Sequence, residues 1–300
     1  MEDKVMKKVI EKVSTFSSFV IVLFVLFLTV QSCNKGDDDD NSSSNQSSYL
    51  ESITVTEYEW KFGEVSQDGE LYEKYTYNPQ GKLTKFTSNY YSSYWKGRIE
   101  DEDIYDYNEK GQLCQKTRYL NFGITKIIYK CQCNEFDSIA KIEQYDKDGK
   151  LDKTFSYEYD NAKRLIKLTE LQPPLVTSSI WSYVSEYTYT PNLKMEVKSS
   201  FIDEVEQEKK DTTIWKYDAH NNLLEKYEIV KGKEIIIENN TYEYDNSGRI
   251  TRKTVRDRYL DNNFTYYDYF YNEDGTIDKI HVSYSFQSDQ SDLVYTYVWK

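Results

Sequence analysis

Between residues 89 and 98 the chain reads Asn-Tyr-Tyr-Ser-Ser-Tyr-Trp-Lys-Gly-Arg, which gathers Tyr90, Tyr91, Tyr94 and Trp95 into one short stretch. Aromatic rings with a polar handle suit the flat faces of sugars or the backbone of a peptide, so this loop is the first candidate binding site. The plainer reading of the same residues is a strand end packed on its sheet. Trp60, Trp181, Trp215 and Trp299 sit in strand-like runs and read as core.

Beyond Cys33 the cysteines are Cys114, Cys131 and Cys133. If Phe122-Gly123 turns a hairpin, positions whose numbers sum to 245 face each other, and Cys114 lies opposite Cys131 in a geometry that permits a disulfide. The rival reading makes Cys131 and Cys133 small buried stand-ins for an aromatic pair. No histidine stands at metal-ligand spacing from them, so no metal site and no cofactor is expected. Asp146-Lys-Asp148-Gly149 lacks the later ligands of a calcium loop and reads as a turn. His220 and His281 accompany no Ser or Cys nucleophile motif, and no Gly-rich phosphate loop is present. Catalysis is therefore not expected. The rival is a glycan-processing hydrolase whose carboxylates converge only in the fold, since none of the 51 acids is singled out by spacing.

These residues sit within a recurring phrase: aromatic, any residue, Tyr, Asp or Asn, a short polar stretch, then Leu or Ile. Tyr242-Glu-Tyr244-Asp245-Asn-Ser-Gly248-Arg-Ile250 is its clearest copy. Others run Tyr77 to Leu83, Tyr107 to Leu113, Cys133 to Ile139, Tyr145 to Leu151, Tyr159 to Leu165, Tyr217 to Leu223 and Tyr271 to Ile277, with a degraded copy at Tyr189. Residues two apart on a strand share a face. Asp or Asn opens a turn by bonding its own backbone. Gly81, Gly111, Gly149, Gly248 and Gly275, or Asp137, Lys163 and Asn221 in the same slot, supply the left-handed residue such a turn needs. Each copy is thus a β-hairpin, and Lys85, Lys141, Lys167, Arg252 and Lys279 form exposed lines beyond it. Variable connections at 88–97, 172–179, 203–211 and 259–263 place longer loops on the opposite edge from the tight turns.

Tyr244-Asp245-Asn-Ser-Gly248-Arg249-Ile250 resembles the YD repeat of the Rhs family. The resemblance covers roughly residues 72–285 and implies an all-β fold: an antiparallel β-meander, or solenoid-like sheet of tandem hairpins, with aromatic ladders. In large family members the repeats enclose a toxin. This chain is too short for that shell, so a twisted sheet, open or partly closed, without toxin function is expected. A membrane barrel is disfavoured because the strands place Lys, Glu and Asp on the face opposite Tyr.

The N-terminus reads as an address. Lys4 to Lys12 are followed by an apolar run to Val30 and then Gln31-Ser32-Cys33. This resembles a bacterial lipoprotein signal peptide over 1–32, which implies lipidation of Cys33 and attachment to outer-membrane lipid. Asp37, Asp38, Asp39 and Asp40 resemble the surface-export signal of Bacteroidetes-type lipoproteins, which implies an outward-facing, extracellular position. Residues 33–49 read as a disordered tether about 20 Å long as a random coil, and 50–300 as the β-repeat domain. Net charge is −13 for the whole chain. Such a surface repels phosphate backbones and argues against nucleic acid. The expected role is a binding or scaffolding module for an extracellular glycan or protein.

Overall fold

The computed structural model describes residues 49–61, 64–67, 69–92, 97–173, 179–256, 263–285 and 290–300. The chain divides into two units: Tyr49–Asn89 with Glu100–Lys300, and Tyr90–Ile99 with residues 1–48. Of the second unit, the described part is the last residues of one strand and the first of the next.

All regular structure among the described residues is β. The strands are β1 (Leu50–Lys61), β2 (Glu64–Val65), β3 (Glu70–Tyr77), β4 (Leu83–Ser92), β5 (Gly97–Tyr107), β6 (Leu113–Leu120), β7 (Thr125–Cys133), β8 (Ile139–Tyr145), β9 (Leu151–Tyr159), β10 (Leu165–Gln172), β11 (Trp181–Thr190), β12 (Leu193–Ile202), β13 (Val205–Tyr217), β14 (Leu223–Val230), β15 (Lys233–Tyr244), β16 (Ile250–Arg256), β17 (Phe264–Tyr271), β18 (Ile277–Tyr284) and β19 (Gln290–Trp299). Among the described residues β2 pairs with the end of β1. The other eighteen form a ring in which each strand neighbours the next in sequence.

The expected hairpin turns are present. At Asn78, Asn134, Asp146, Asp160, Asp218 and Asp245 the side-chain Oδ1 accepts backbone N–H groups two and four residues later. The fourth residue of each turn has positive φ, whether glycine (Gly81 at 72°, Gly248 at 78°) or one of the three anticipated substitutes, Asp137 at 62°, Lys163 at 60° and Asn221 at 65°. An Asn or Asp side chain that bonds its own loop fixes the turn, and the strands must then continue from it.

Closure corrects the expectation of an open meander or solenoid. The hairpins do not stack face to face; they pair edge to edge. β1 bonds β3 on one side, with Ile53 opposite Tyr75, and β19 on the other, with Ile53 opposite Tyr297. Tyr49 and Lys300 exchange both backbone hydrogen bonds at 2.7 and 2.9 Å. Inserting the first strand between the third and the last leaves neither with a free edge, which removes the pairing hazard that an open sheet carries. The seam also holds the most enclosed side chains: Ile53, Val55, Tyr75, Ile280 and Tyr295 are buried there.

The two faces of the ring differ. Successive pairings place Tyr75, Tyr105, Tyr129, Tyr157, Tyr187, Tyr242, Tyr267 and Tyr295 on one face, interleaved with Lys116, Glu170, Lys194 and Lys253. Charges on this face are enclosed: Asp103, Lys253 and Glu170 keep 5%, 15% and 16% of their side-chain exposure. On the other face Lys85, Lys167 and Arg252 keep 47%, 40% and 42%. The inward face of a closed sheet is the crowded one, so the tyrosine face lines the ring.

The anticipated exposed cations do lie outward, and each has an acidic neighbour: Lys85–Glu102 (2.5 Å), Lys141–Glu143 (2.8 Å), Lys167–Glu158 (3.3 Å), Arg252–Asp268 (2.5 Å) and Lys279–Asp292 (3.2 Å). A membrane barrel needs an apolar outer band, and a Lys or Arg on the lipid face costs about 2–4 kcal/mol at mid-bilayer. Beside these charges the outer face also carries an apolar row on β12, Leu193, Met195, Val197 and Phe201.

Sheet topology sorts the connections by end. The turns at Asn78, Asn108, Asn134, Asp160, Asp218, Asp245 and Asn272 share one end with Tyr49 and Lys300; the Asp146 turn lies at the other. That other end also carries the described strand ends Lys61, Gln172, Arg256 and Tyr284. One anticipated long connection is short: Asp203-Glu204 turns directly from β12 into β13, because Asp203 uses its N–H on the Ile180 carbonyl (2.9 Å) and its carboxylate on the Ile180 N–H (2.8 Å).

Candidate functional site

What ties one hairpin to the next is a tyrosine hydroxyl. The ring that precedes a turn donates to the backbone carbonyl of the Leu or Ile that begins the neighbouring strand: Tyr107 to Leu83 (2.7 Å), Tyr159 to Ile139 (2.8 Å), Tyr189 to Leu165 (2.8 Å), Tyr271 to Ile250 (2.7 Å) and Tyr297 to Ile277 (2.9 Å). Tyr242 does the same to Leu223 at 3.0 Å, while Tyr244 turns to Asp218 and to Asn222. Burial raises the Tyr107, Tyr159 and Tyr271 hydroxyls above the usual phenol range, which keeps them protonated as donors. The tyrosines that dominate the composition are therefore first of all fasteners.

The richest chemistry on the inner face lies on β11–β15. One cross-strand row runs Tyr189, Lys194, Trp215, Lys226 and Glu238. The next runs Tyr187, Glu196, Thr213 and Glu228, and a third Ser185, Lys198 and Asp211. Lys194 and Lys226 both lie against the Trp215 ring, 4.7 and 5.6 Å from its centre, and Lys198 lies 4.6 Å from that of Tyr183. Burial lowers the Lys194 amine from its usual range, partly offset by Glu196. Tyr187 donates to Glu196 at 3.1 Å.

Between these rows opens a cavity of about 280 Å³ lined by Glu196, Lys198, Asp211, Thr212, Thr213, Glu228, Ile229 and Val230. It lies beside two breaks in register, after Ser199 on β12 and after Lys226 on β14. An extra residue pushes one strand out of the plane of its neighbours, which is how a sheet makes a hollow. The cavity offers carboxylate acceptors, an ammonium donor and hydroxyls, with the aromatic residues at neighbouring positions of the same wall.

A second charged cluster is structural. Asp103 meets Arg118 at 2.7 Å and Lys116 at 2.9 Å. Burial alone would raise the Asp103 carboxyl, but the two cations outweigh it and hold it below the usual carboxylate range. Lys116 also lies 5.5 and 5.8 Å from the Tyr105 and Tyr129 ring centres. At the seam, Glu73 accepts the Tyr75 hydroxyl, and burial pushes its carboxyl up to about 7.

Of the residues singled out in the sequence, Tyr90 and Tyr91 fall in the last turn-ward residues of β4; Tyr94 and Trp95 lie outside the described residues, as do Cys33 and Asp37, Asp38, Asp39 and Asp40. Cys114, Cys131 and Cys133 are free thiols. The register of β6 and β7 does sum to 245, as Gln115 opposite Lys130 shows, though the loop is the four-residue Asn121–Ile124. Trp181 and Trp299 are not core: they sit at opposite strand ends and are 40% and 56% exposed. Trp60 packs edge-on against His281, 5.4 Å between ring centres, and His281 Nδ1 lies 2.7 Å from Asp292. His220 takes its turn slot, stacked 4.5 Å from Tyr244. The β12–β14 cavity was not anticipated. Its residues carry no motif, and only the alternation of Lys194, Glu196 and Lys198 opposite Asp211, Thr213 and Trp215 hints at a polar row on one face.

What fold and site define is a closed antiparallel β-ring with ion pairs and apolar residues mixed on its exterior and an aromatic, charge-paired lining. No family model matches the chain, and no curated protein does. Among solved structures it is similar to a porin-like protein from Bacteroides uniformis, at 15% identity and TM-score 0.39 over 83% of this chain and 96% of that one. It is also similar to the TcdB2-TccC3-Cdc42 complex, at 12% identity and TM-score 0.26 over 79% of this chain and 16% of that one. A third similarity is to the Photorhabdus luminescens Tc holotoxin pore, at 13% identity and TM-score 0.23 over 73% and 15%.

Proposed function

We propose that this chain is a lipid-tethered, non-enzymatic binding module of the outer membrane surface, and that the β11–β15 wall takes a glycan. The observation that carries this is the 280 Å³ hollow lined by Glu196, Asp211, Glu228 and Lys198, with Tyr187 opposite Glu196 and Trp215 one rung away. Aromatic faces accept the apolar faces of sugar rings, and carboxylates accept their hydroxyls. The lipoprotein-like leader ending at Cys33 and the Asp37–Asp40 run support attachment and export, and the recurring hairpins are read as degenerate YD repeats.

Isothermal titration of the exported portion against a panel of bacterial and plant polysaccharides and of envelope proteins tests the reading. Binding to a polysaccharide that is weakened at least tenfold in Trp215→Ala and Glu196→Gln supports it; no binding in either set overturns it. A second reading, hydrolysis, is favoured by the three carboxylates on one cavity, since paired acids are what glycoside cleavage requires. Release of reducing ends in the same incubations, abolished in Glu228→Gln or Glu196→Gln, would replace the binding role by that activity.

A further inference from the structure

At the β6–β7 junction a cysteine stands where the neighbouring junctions place a tyrosine. Cys133 precedes the Asn134 turn, as Tyr107 precedes Asn108 and Tyr159 precedes Asp160, and its thiol points at the same target, the Leu113 carbonyl. The distance is 3.9 Å, against 2.7–2.9 Å for the Tyr107, Tyr159, Tyr189, Tyr271 and Tyr297 hydroxyls. A thiol is a weak donor, so this junction lacks the fastener that holds its neighbours.

The same junction brings two more thiols together. Cys114 and Cys131 lie one step beyond the Gln115–Lys130 rung of the β6–β7 ladder; Cys114 occupies the bulge where β5 sets Asp106 against Gln115 and Tyr107 against Leu113, with its thiol on the Asp106 carbonyl at 3.3 Å. Opposed residues of antiparallel strands have Cα atoms about 4.5–5.5 Å apart, so residues one step past the last regular rung stay near the window of about 4.4–6.8 Å that a disulfide spans. Cys131 and Cys133, two apart on one extended strand, are about 6.5 Å apart with side chains parallel, which bridges poorly.

We propose that Cys114 and Cys131 are a modification site, oxidised to a cross-strand disulfide that takes over the missing tyrosine fastener and leaves Cys133 reduced. The free thiols of the structure are the reduced form. The co-reactant is a small-molecule or protein disulfide. The Cys114 thiolate attacks one of its sulfurs, that S–S bond breaks, and one thiolate leaves. Cys131 then gives up its proton and attacks the Cys114 sulfur, expelling the second thiol. Two electrons and two protons pass to the oxidant, and one S–S bond forms for one broken. Burial pushes the Cys131 thiol up to about 11, which makes it the poorer first nucleophile.

The test is to incubate the folded full-length chain with oxidised glutathione, alkylate it in denaturant without reductant, digest it, and map the peptides by mass spectrometry. A Cys114–Cys131 linked peptide with alkylated Cys133 is expected, together with a Tm that falls when reductant is added. In Cys133→Tyr the link should persist, and the reduced protein should melt higher than reduced wild type because the fastener is restored. Alkylation of both Cys114 and Cys131 after oxidation, or a dominant Cys114–Cys133 link, overturns the proposal. The mapping uses the wild-type chain, so it decides even if Cys114→Ser fails to fold.

Discussion

Replacing Glu73 by Gln should stabilise the protein at pH 8 and change little at pH 4. Glu73 is 3% exposed, faces Val55 of the closing strand and Ser88 of β4, and receives the Tyr75 hydroxyl. Burial raises its carboxyl from 4.5 to about 7, with the Tyr75 hydrogen bond acting in the opposite direction. A folded state that holds a proton more tightly than the unfolded chain is favoured below the unfolded pKa and loses that advantage as pH climbs through the folded one. The window is therefore pH 4.5 to 7. At about 1.4 kcal/mol per unit the loss is on the order of 3 kcal/mol once pH exceeds 7. Gln reproduces the neutral shape and keeps an oxygen for Tyr75, so E73Q should not show this loss. For a domain of this size about 3 kcal/mol corresponds to a Tm difference on the order of 10 °C. Thermal melts of both proteins by circular dichroism at pH 4, 5, 6, 7 and 8 would show curves that coincide at low pH and separate above pH 5. Parallel curves across that range, or an E73Q protein that melts lower at pH 8, would refute the reasoning, because other titrating groups cancel in the difference.

Three further outcomes follow from the turns and fasteners. Gly248→Ala should cost about 1 kcal/mol in urea unfolding, because φ is 78° and no neighbour crowds the added methyl; Lys163→Gly, at φ 60°, should gain a comparable amount. Tyr271→Phe should lose about 0.5–1.5 kcal/mol by removing the 2.7 Å bond to Ile250, read from the same denaturant curves. Asp103→Ala strands Arg118 and Lys116 beside each other on the inner face and should cost about 3 kcal/mol; Asp103→Ala combined with Arg118→Met should recover part of it.

The hairpins could be read from sequence because their information is local. Asp245 bonds its own loop and Gly248 adopts the left-handed conformation regardless of what surrounds them. Even the unusual occupants Lys163, Asn221 and Asp137 were legible, since position within the phrase fixed the role. Closure was not legible. It depends on Ile53 meeting both Tyr75 and Tyr297, and nothing in Leu50–Lys61 announces two partners so far apart in the chain. The tyrosines' periodicity marked a shared face, but the hydroxyl of Tyr159 reaching Ile139 is set by the stagger between neighbouring hairpins, a property of register rather than composition. The cavity was hidden for a similar reason: Glu196, Asp211 and Glu228 lie on three strands and become neighbours only through pairing.

The closing strand has a kinetic consequence. β1 is made first, yet one of its two neighbours is β19, some 240 residues later. During synthesis its exposed edge must wait for nearly the whole polypeptide, and contacts between such remote segments are the slow ones to form. Completion of the ring therefore needs β19, and until Leu293 and its neighbours are made β1 keeps an unpaired border.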